Sequence, residues 1–261
     1  CTVTDVDFGV YEMFEEVNKQ SLKAREDGNN SASNPWKNNK GNLWKVSGGD
    51  LSNPNATMDV EENLVEFNED GTFKSYIWNQ PTYDLKTNKE SPDKESAITE
   101  LQGFITELKN LPSSNTNAND EKAIKDFYEK WFDIDFFLKS YAVNILVGMD
   151  DDYWGNANNY YLYFGKDKNK NTKVYFIPFD YDNTLGASIK GDAGQPEGFK
   201  QNPLEWGRGQ NRPLMDKLLL VPEYKQKFTD YLLEVSAETS AWNFTDCSAL
   251  FLKWKAMVEP Y

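Results

Sequence analysis

Five acidic side chains and one amide stand at the outer ends of two apolar, aromatic runs within residues 148–186. Asp150, Asp151 and Asp152 precede the run 160–164, with Asn159 directly adjoining it, and Asp180 and Asp182 follow the run 174–179. If the two runs pair as a hairpin across the polar turn between them, Asp151, Asp152 and Asn159 approach from one side. Asp180 and Asp182 approach from the other, close enough to share metal ions. Carboxylate and amide oxygens without a nearby imidazole or thiolate suit a hard cation such as Mg²⁺ or Mn²⁺. Strand alternation would put Asp180 and Asp182 on one face at the end of the second run. An ordinary turn explains the same letters, since Asp and Asn before Gly are common where strands end, and on the motif alone the two readings weigh equally. Three adjacent carboxylates repel one another, so Asp150, Asp151 and Asp152 are costly after a buried helix unless a cation or a substrate proton uses them.

Composition narrows the chemistry further. The chain has no histidine, which removes the usual general base, Ser-His and Cys-His nucleophiles and most zinc sites. With 28 basic and 42 acidic residues the net charge is −14, which argues against partnership with nucleic acid or anionic lipid. A nucleotide substrate would need metal ions to be held. At 261 residues, with 39% hydrophobic residues, 8 Trp, 14 Tyr and 16 Phe, the chain can bury a sizeable core despite a mean hydropathy of −0.74. Cys1 and Cys247 are too few for a disulfide scaffold and leave a single bridge open. Cys1 can be read as the edge of a longer chain or the start of a lipoprotein, and the strand-like residues 2–10 favour an edge. No apolar run is long enough for a membrane span, and no signal peptide is expected.

The elements that must position these acids divide into a strand-and-loop-rich part, residues 1–92, and a mostly helical part, residues 93–261, that contains the hairpin 160–179. Strands are expected at 10–14, 41–47, 64–67 and 72–78, with NEDG as the turn between the last two. A short helix is expected after Asn18, an amphipathic one over 96–110, and another over 121–131. Asp133 is placed to cap a helix over 134–147 that is apolar nearly all round and therefore buried. This helix runs directly into the acidic cluster, a rigid support for a positioned site. Beyond Gly186 an irregular Gly-rich segment leads to helices opened by Pro213 and Pro222, and a last helix covers about 247–258. The segment GKDKNKNTK has the Asp/Asn look of a calcium loop but lacks Gly at the sixth position and Glu at the twelfth, which excludes that reading. The fold class is α+β.

An acid, a downstream Asn, a strand hairpin and a later Asp are arranged in this order in protein-kinase active sites. The runs NNYYLYF and VYFIPFDYDNTLG resemble the signature of the CotH family, spore-coat-type atypical protein kinases, and GVYEMFEEVN with GNLWK is similar to that family's preceding strand and loop. The resemblance covers most of the chain. It implies a divergent protein-kinase-like fold, here a single domain over 1–261 that is N-terminally incomplete, with ATP and Mg²⁺ (Mn²⁺ or Ca²⁺ as alternatives) as cofactors. It further implies phosphate transfer to Ser or Thr of coat or surface proteins, at the cell or spore surface. Residue by residue, Asp180 matches the metal-binding aspartate, Asp182 its partner and Asn159 the family's Asn. The catalytic aspartate falls at Asp151 or Asp152. The phosphate-contacting Lys or Arg expected before GVYEMFEE is absent. Glu15 would border the adenine pocket, and Lys45, with Arg208 behind it, is the candidate for a phosphate contact.

Two other classes compete. FDYDNTLG also resembles the first motif of haloacid-dehalogenase-type phosphatases, with Asp180 as nucleophile and Asp182 as acid/base, although such folds need parallel βα units around the motif. A kinase-like surface module without activity is the third reading.

Overall fold

The structure is a computed structural model that describes residues 15–28, 40–56, 64–77, 81–167, 169–185, 202–206 and 211–259. In chain order the elements are α1 (Lys19–Gly28), β1 (Asn42–Val46), β2 (Leu64–Phe67), β3 (Phe73–Ile77), β4 (Tyr83–Leu85), α2 (Asp93–Lys109), α3 (Ala118–Trp131), α4 (Ile134–Leu146) and α5 (Tyr153–Asn156). They continue with β5 (Tyr160–Lys166), β6 (Thr172–Pro178), a 3₁₀ turn (Tyr181–Asn183), α6 (Pro213–Leu218), α7 (Pro222–Ser236) and α8 (Phe244–Val258). The α+β reading holds. The strand expected at 10–14, Cys1 and Arg208 lie outside the described residues.

A four-stranded sheet in the order β4-β1-β5-β6 is antiparallel at every pairing. The hairpin forms in direct register from Tyr160↔Pro178 to Lys166↔Thr172, so its open end brings Asn159 beside Phe179. Side chains alternate between faces. Trp44, Val46, Leu162, Phe164, Val174 and Phe176 join the core shared with α2, α3, α4, α6 and α7. On the opposite face Leu43, Tyr161, Tyr163 and Tyr175 cluster with Leu22 of α1. Tyr160 and Phe176 stack at 5.0 Å with an 11° interplanar angle, a contact worth about 1 kcal/mol beyond simple burial. The antiparallel sheet also lacks the parallel βα units that a haloacid-dehalogenase motif requires.

The helices start where capping chemistry places them. Asn117 accepts the amides of Asn119 and Asp120 to open α3, Asp133 accepts that of Phe136 to open α4, and prolines occupy the first turns of α6 and α7. Several expectations need correction. Helix α4 is not buried all round: Phe136 is 49% and Leu146 40% exposed, because only the face carrying Phe137, Leu138, Tyr141 and Ile145 meets the core. The three-residue β4 and the four-residue α5 are additions, and α8 begins at Phe244, where Asn243 caps it by accepting the Asp246 amide. The alternation argument for Asp180 and Asp182 fails. The strand ends at Pro178, Asp180 has φ 61°, and a 3₁₀ turn follows, so the two side chains are not related by pleat. No described helix is long and apolar enough to cross a membrane.

Candidate functional site

The site is built from the C-terminal end of α4. Gly148, at φ +67°, turns the chain out of the helix, and the Gly148 and Met149 amides donate back to Ile145 and Asn144. This turn delivers Asp150, Asp151 and Asp152 to the edge of the core.

The two candidate catalytic acids occupy different environments. Asp152 is buried at 1% exposure and caps α5 by accepting the Gly155 amide at 2.8 Å. Its other oxygen accepts the Tyr141 hydroxyl at 2.9 Å, and that hydroxyl accepts the Trp154 amide at 2.9 Å. Burial pushes the Asp152 carboxyl up to about 6, against the opposing pull of these hydrogen bonds. Asp151 is only half-buried. Its carboxylate accepts the side-chain amides of Asn156 at 2.6 Å and Asn159 at 2.8 Å, with longer contacts to Asn158 at 3.3 and 3.4 Å. Asn159 adopts φ 51°, a left-handed conformation that Asn tolerates better than most residues. Its carbonyl accepts the Phe179 amide at 3.0 Å, so Asn159 connects Asp151 to the strand end that carries Asp180.

The second group of acids lies on an exposed turn. Asp180 and Asp182 face solvent on either side of Tyr181, whose hydroxyl donates to the buried Asn144 at 2.5 Å. Burial raises the Tyr181 phenol above its ordinary value, and the charge of Asp152 adds to the effect. The turn is also sewn to the end of α4 through the backbone: the Leu185 amide donates to Val147 at 2.7 Å and the Asp150 amide to Asn183 at 3.4 Å. Both acidic segments therefore meet at one helix end. Among the described residues no group of three or more Asp, Glu or Cys side chains is close enough to hold a metal by itself. Asn159, Asp180 and Asp182 carry oxygen donors of the hard kind that Mg²⁺ takes, and the two aspartates are exposed.

Lys45 is half-buried on β1, and its ammonium lies 5.4 Å from the centroid of Phe179, the residue before Asp180. The structure thus brings a lysine to the strand end that carries the acids. Glu15 makes a two-pronged pair with Arg25 at 2.7 and 2.8 Å, in which Arg25 holds the Glu15 carboxyl below its ordinary value. Glu15 makes no described contact with the acids. Arg25 helps line a cavity of about 330 Å³ between α1, α4 and β6, whose wall includes Val17, Leu22, Val143, Ile177 and Tyr181. Tyr141, Asn144, Asn156, Asn158 and Tyr181 belong to the site but are not read from the sequence. The available signals are a lone Asn in an apolar helix and the Asn repeat in GNANN.

A family model described as CotH kinase protein matches residues 2–240. Invasin CotH3 of Rhizopus delemar is 31% identical over 124 residues, covering 46% of this chain and 20% of the relative. Spore coat protein homolog 1 of the same organism is 28% identical over 169 residues, covering 64% of this chain and 24% of the relative. The matched stretch is thus about a quarter or less of these relatives' length. No solved structure matches the chain. With the family model spanning most of its residues, this chain belongs to the CotH kinase family.

Proposed function

We propose that this chain is the phosphotransfer region of an ATP-dependent protein kinase with a divergent kinase-like fold, acting on Ser or Thr of coat or surface proteins. The observation that carries the reading is the bridge through Asn159. Its side chain holds Asp151 and its carbonyl holds Phe179, which joins the acid and the Asp180 turn at the base of one hairpin. Asp151 rather than Asp152 is the base, a choice supported by its partial exposure and by the enclosure of Asp152 within the core. In the reaction the acceptor hydroxyl gives its proton to Asp151 and its oxygen bonds to the γ-phosphorus. The bond from that phosphorus to the bridging oxygen breaks, and ADP leaves with the electron pair.

Asn159, Asp180 and Asp182 are the residues that would hold Mg²⁺. When bound, the cation supplies neutralising charge to the phosphates. Lys45, beside Phe179, adds a protein cation on the same side, and the cavity at Tyr181 takes the base, with Glu15 near its rim through Arg25. The relatives are named as invasins and a spore coat protein homolog, which supports a surface location for the parent protein.

Transfer of radiolabelled phosphate from ATP to a Ser-rich acceptor tests the proposal. Asp180→Ala is expected to lower the rate by about 10³-fold while leaving folding intact. Equal labelling by the two proteins overturns it, and ATP-dependent thermal stabilisation without transfer favours a binding module instead.

A further inference from the structure

Tyr181 stands between the two acids of the exposed turn, yet its hydroxyl points inward to Asn144 rather than outward. The 3₁₀ turn that contains it buries no residue, has no side-chain cap and begins at a left-handed aspartate. An exposed turn of this kind does not hold one orientation by its own packing. Asn144, in contrast, is 1% exposed in the last turn of α4, and its amide nitrogen falls short of full hydrogen-bond geometry while still helping to hold the Asp152 carboxyl down against burial. One turn earlier on the same helix, Tyr141 holds Asp152, and Asp152 holds the start of α5. Two neighbouring positions on α4 therefore grip the two halves of the site, Tyr141 through Asp152 on the Asp151 side and Asn144 through Tyr181 on the Asp180 side.

We propose that Tyr181 is a positioning residue whose hydroxyl, latched onto Asn144, fixes the 180–182 turn against the Asp151 loop so that both sets of oxygens face one nucleotide–metal complex. This rests on the phosphotransfer reading. The buried amide of Asn144 is oriented by this bond, since a side-chain oxygen turned toward Tyr181 leaves the nitrogen on the side of the Asp152 carboxylate, which it helps to hold down against burial. Tyr181 also forms part of the cavity wall, so the latch joins the cavity to the acids through a single side chain. Removing only the hydroxyl leaves the ring, and hence the wall, in place.

Tyr181→Phe is compared with the parent protein in two measurements. The first is Mn²⁺ binding in the presence of ATP, read from the protein-dependent loss of the Mn²⁺ electron paramagnetic resonance signal beyond that caused by the same ATP concentration alone. The second is amide hydrogen exchange across 179–185. The variant is expected to bind Mn²⁺ about fivefold more weakly and to exchange the Leu185 amide about tenfold faster, with a melting temperature unchanged within about 2 °C. Where transfer is measured, kcat falls and KM for ATP rises in step with the weaker metal binding. Unchanged Mn²⁺ affinity with unchanged exchange overturns the latch. If the parent binds no Mn²⁺ with ATP, the phosphotransfer reading falls, and the exchange comparison alone decides the latch: faster exchange supports it and equal exchange removes it.

Discussion

The two acidic segments of the site are held in opposite ways. Around 150–159 the two carboxylates are held by several donors each: Asp152 sits in the core between a tyrosine hydroxyl and a backbone amide, and Asp151 is held by side-chain amides. Around 180–185 the carboxylates lie on a short exposed turn whose ties to the protein include backbone bonds and the Tyr181 hydroxyl. A group that must take a proton from one direction benefits from a fixed orientation. Groups that hold a hydrated cation need open coordination positions, and an exposed turn provides them.

The sharpest way to break this comparison is to exchange an oxygen for nitrogen in each of the two adjacent acids. Asp151→Asn is expected to lower the phosphotransfer rate by about 10³-fold with little change in melting temperature, because only a half-exposed carboxylate is altered. Asp152→Asn is expected to keep most of the rate. Initial rates and thermal melts on both variants check the assignment, and a reversed pattern exchanges their roles.

Stability against pH probes the enclosed segment alone. The folded protein keeps the Asp152 proton up to about 6, whereas an unfolded Asp releases it near its ordinary value of 3.8. Between these values the folded state binds more protons, so this group's contribution to stability falls as pH rises. The cost is absent below the lower value, complete above the upper one, and amounts to roughly 3 kcal/mol. Urea midpoints measured from pH 3.5 to 7 are expected to show this slope in the parent and a flatter one in Asp152→Asn.

The smallest effect concerns the backbone of the same segment. Ala157 ends α5 at φ 56°, where a Cβ is unfavourable. Ala157→Gly is expected to raise stability by about 1 kcal/mol, measured by chemical denaturation, and a loss of stability would show that packing of the methyl group outweighs the conformational relief.

Much of this arrangement is legible in the letters. The cap at Asp133, the prolines at 213 and 222, and the aromatic runs of β5 and β6 each carry a local signal that tertiary packing reinforces. That Asn159 stands at the base of the hairpin beside Phe179 is legible because the register of the hairpin follows from its length. The distinction between Asp151 and Asp152 is not legible, since neighbouring identical residues differ only in what the fold packs around them. Nor is the Tyr181–Asn144 bond, which joins positions far apart in the chain. The alternation argument fails at Pro178, where the strand ends before the acids are reached. Strand β4 is missed because three residues hold no period, and its pairing is set by β1.

The position of β1 between β4 and β5 has a consequence for how the protein is made. Its β4 partner leaves the ribosome soon after it, but β5 follows more than a hundred residues after β1. The loop that must close to form the β1–β5 ladder is correspondingly long, and such pairings form late. During synthesis Lys45 therefore waits on an unfinished sheet, and the acids at the hairpin base acquire their lysine neighbour only after more than a hundred further residues have emerged.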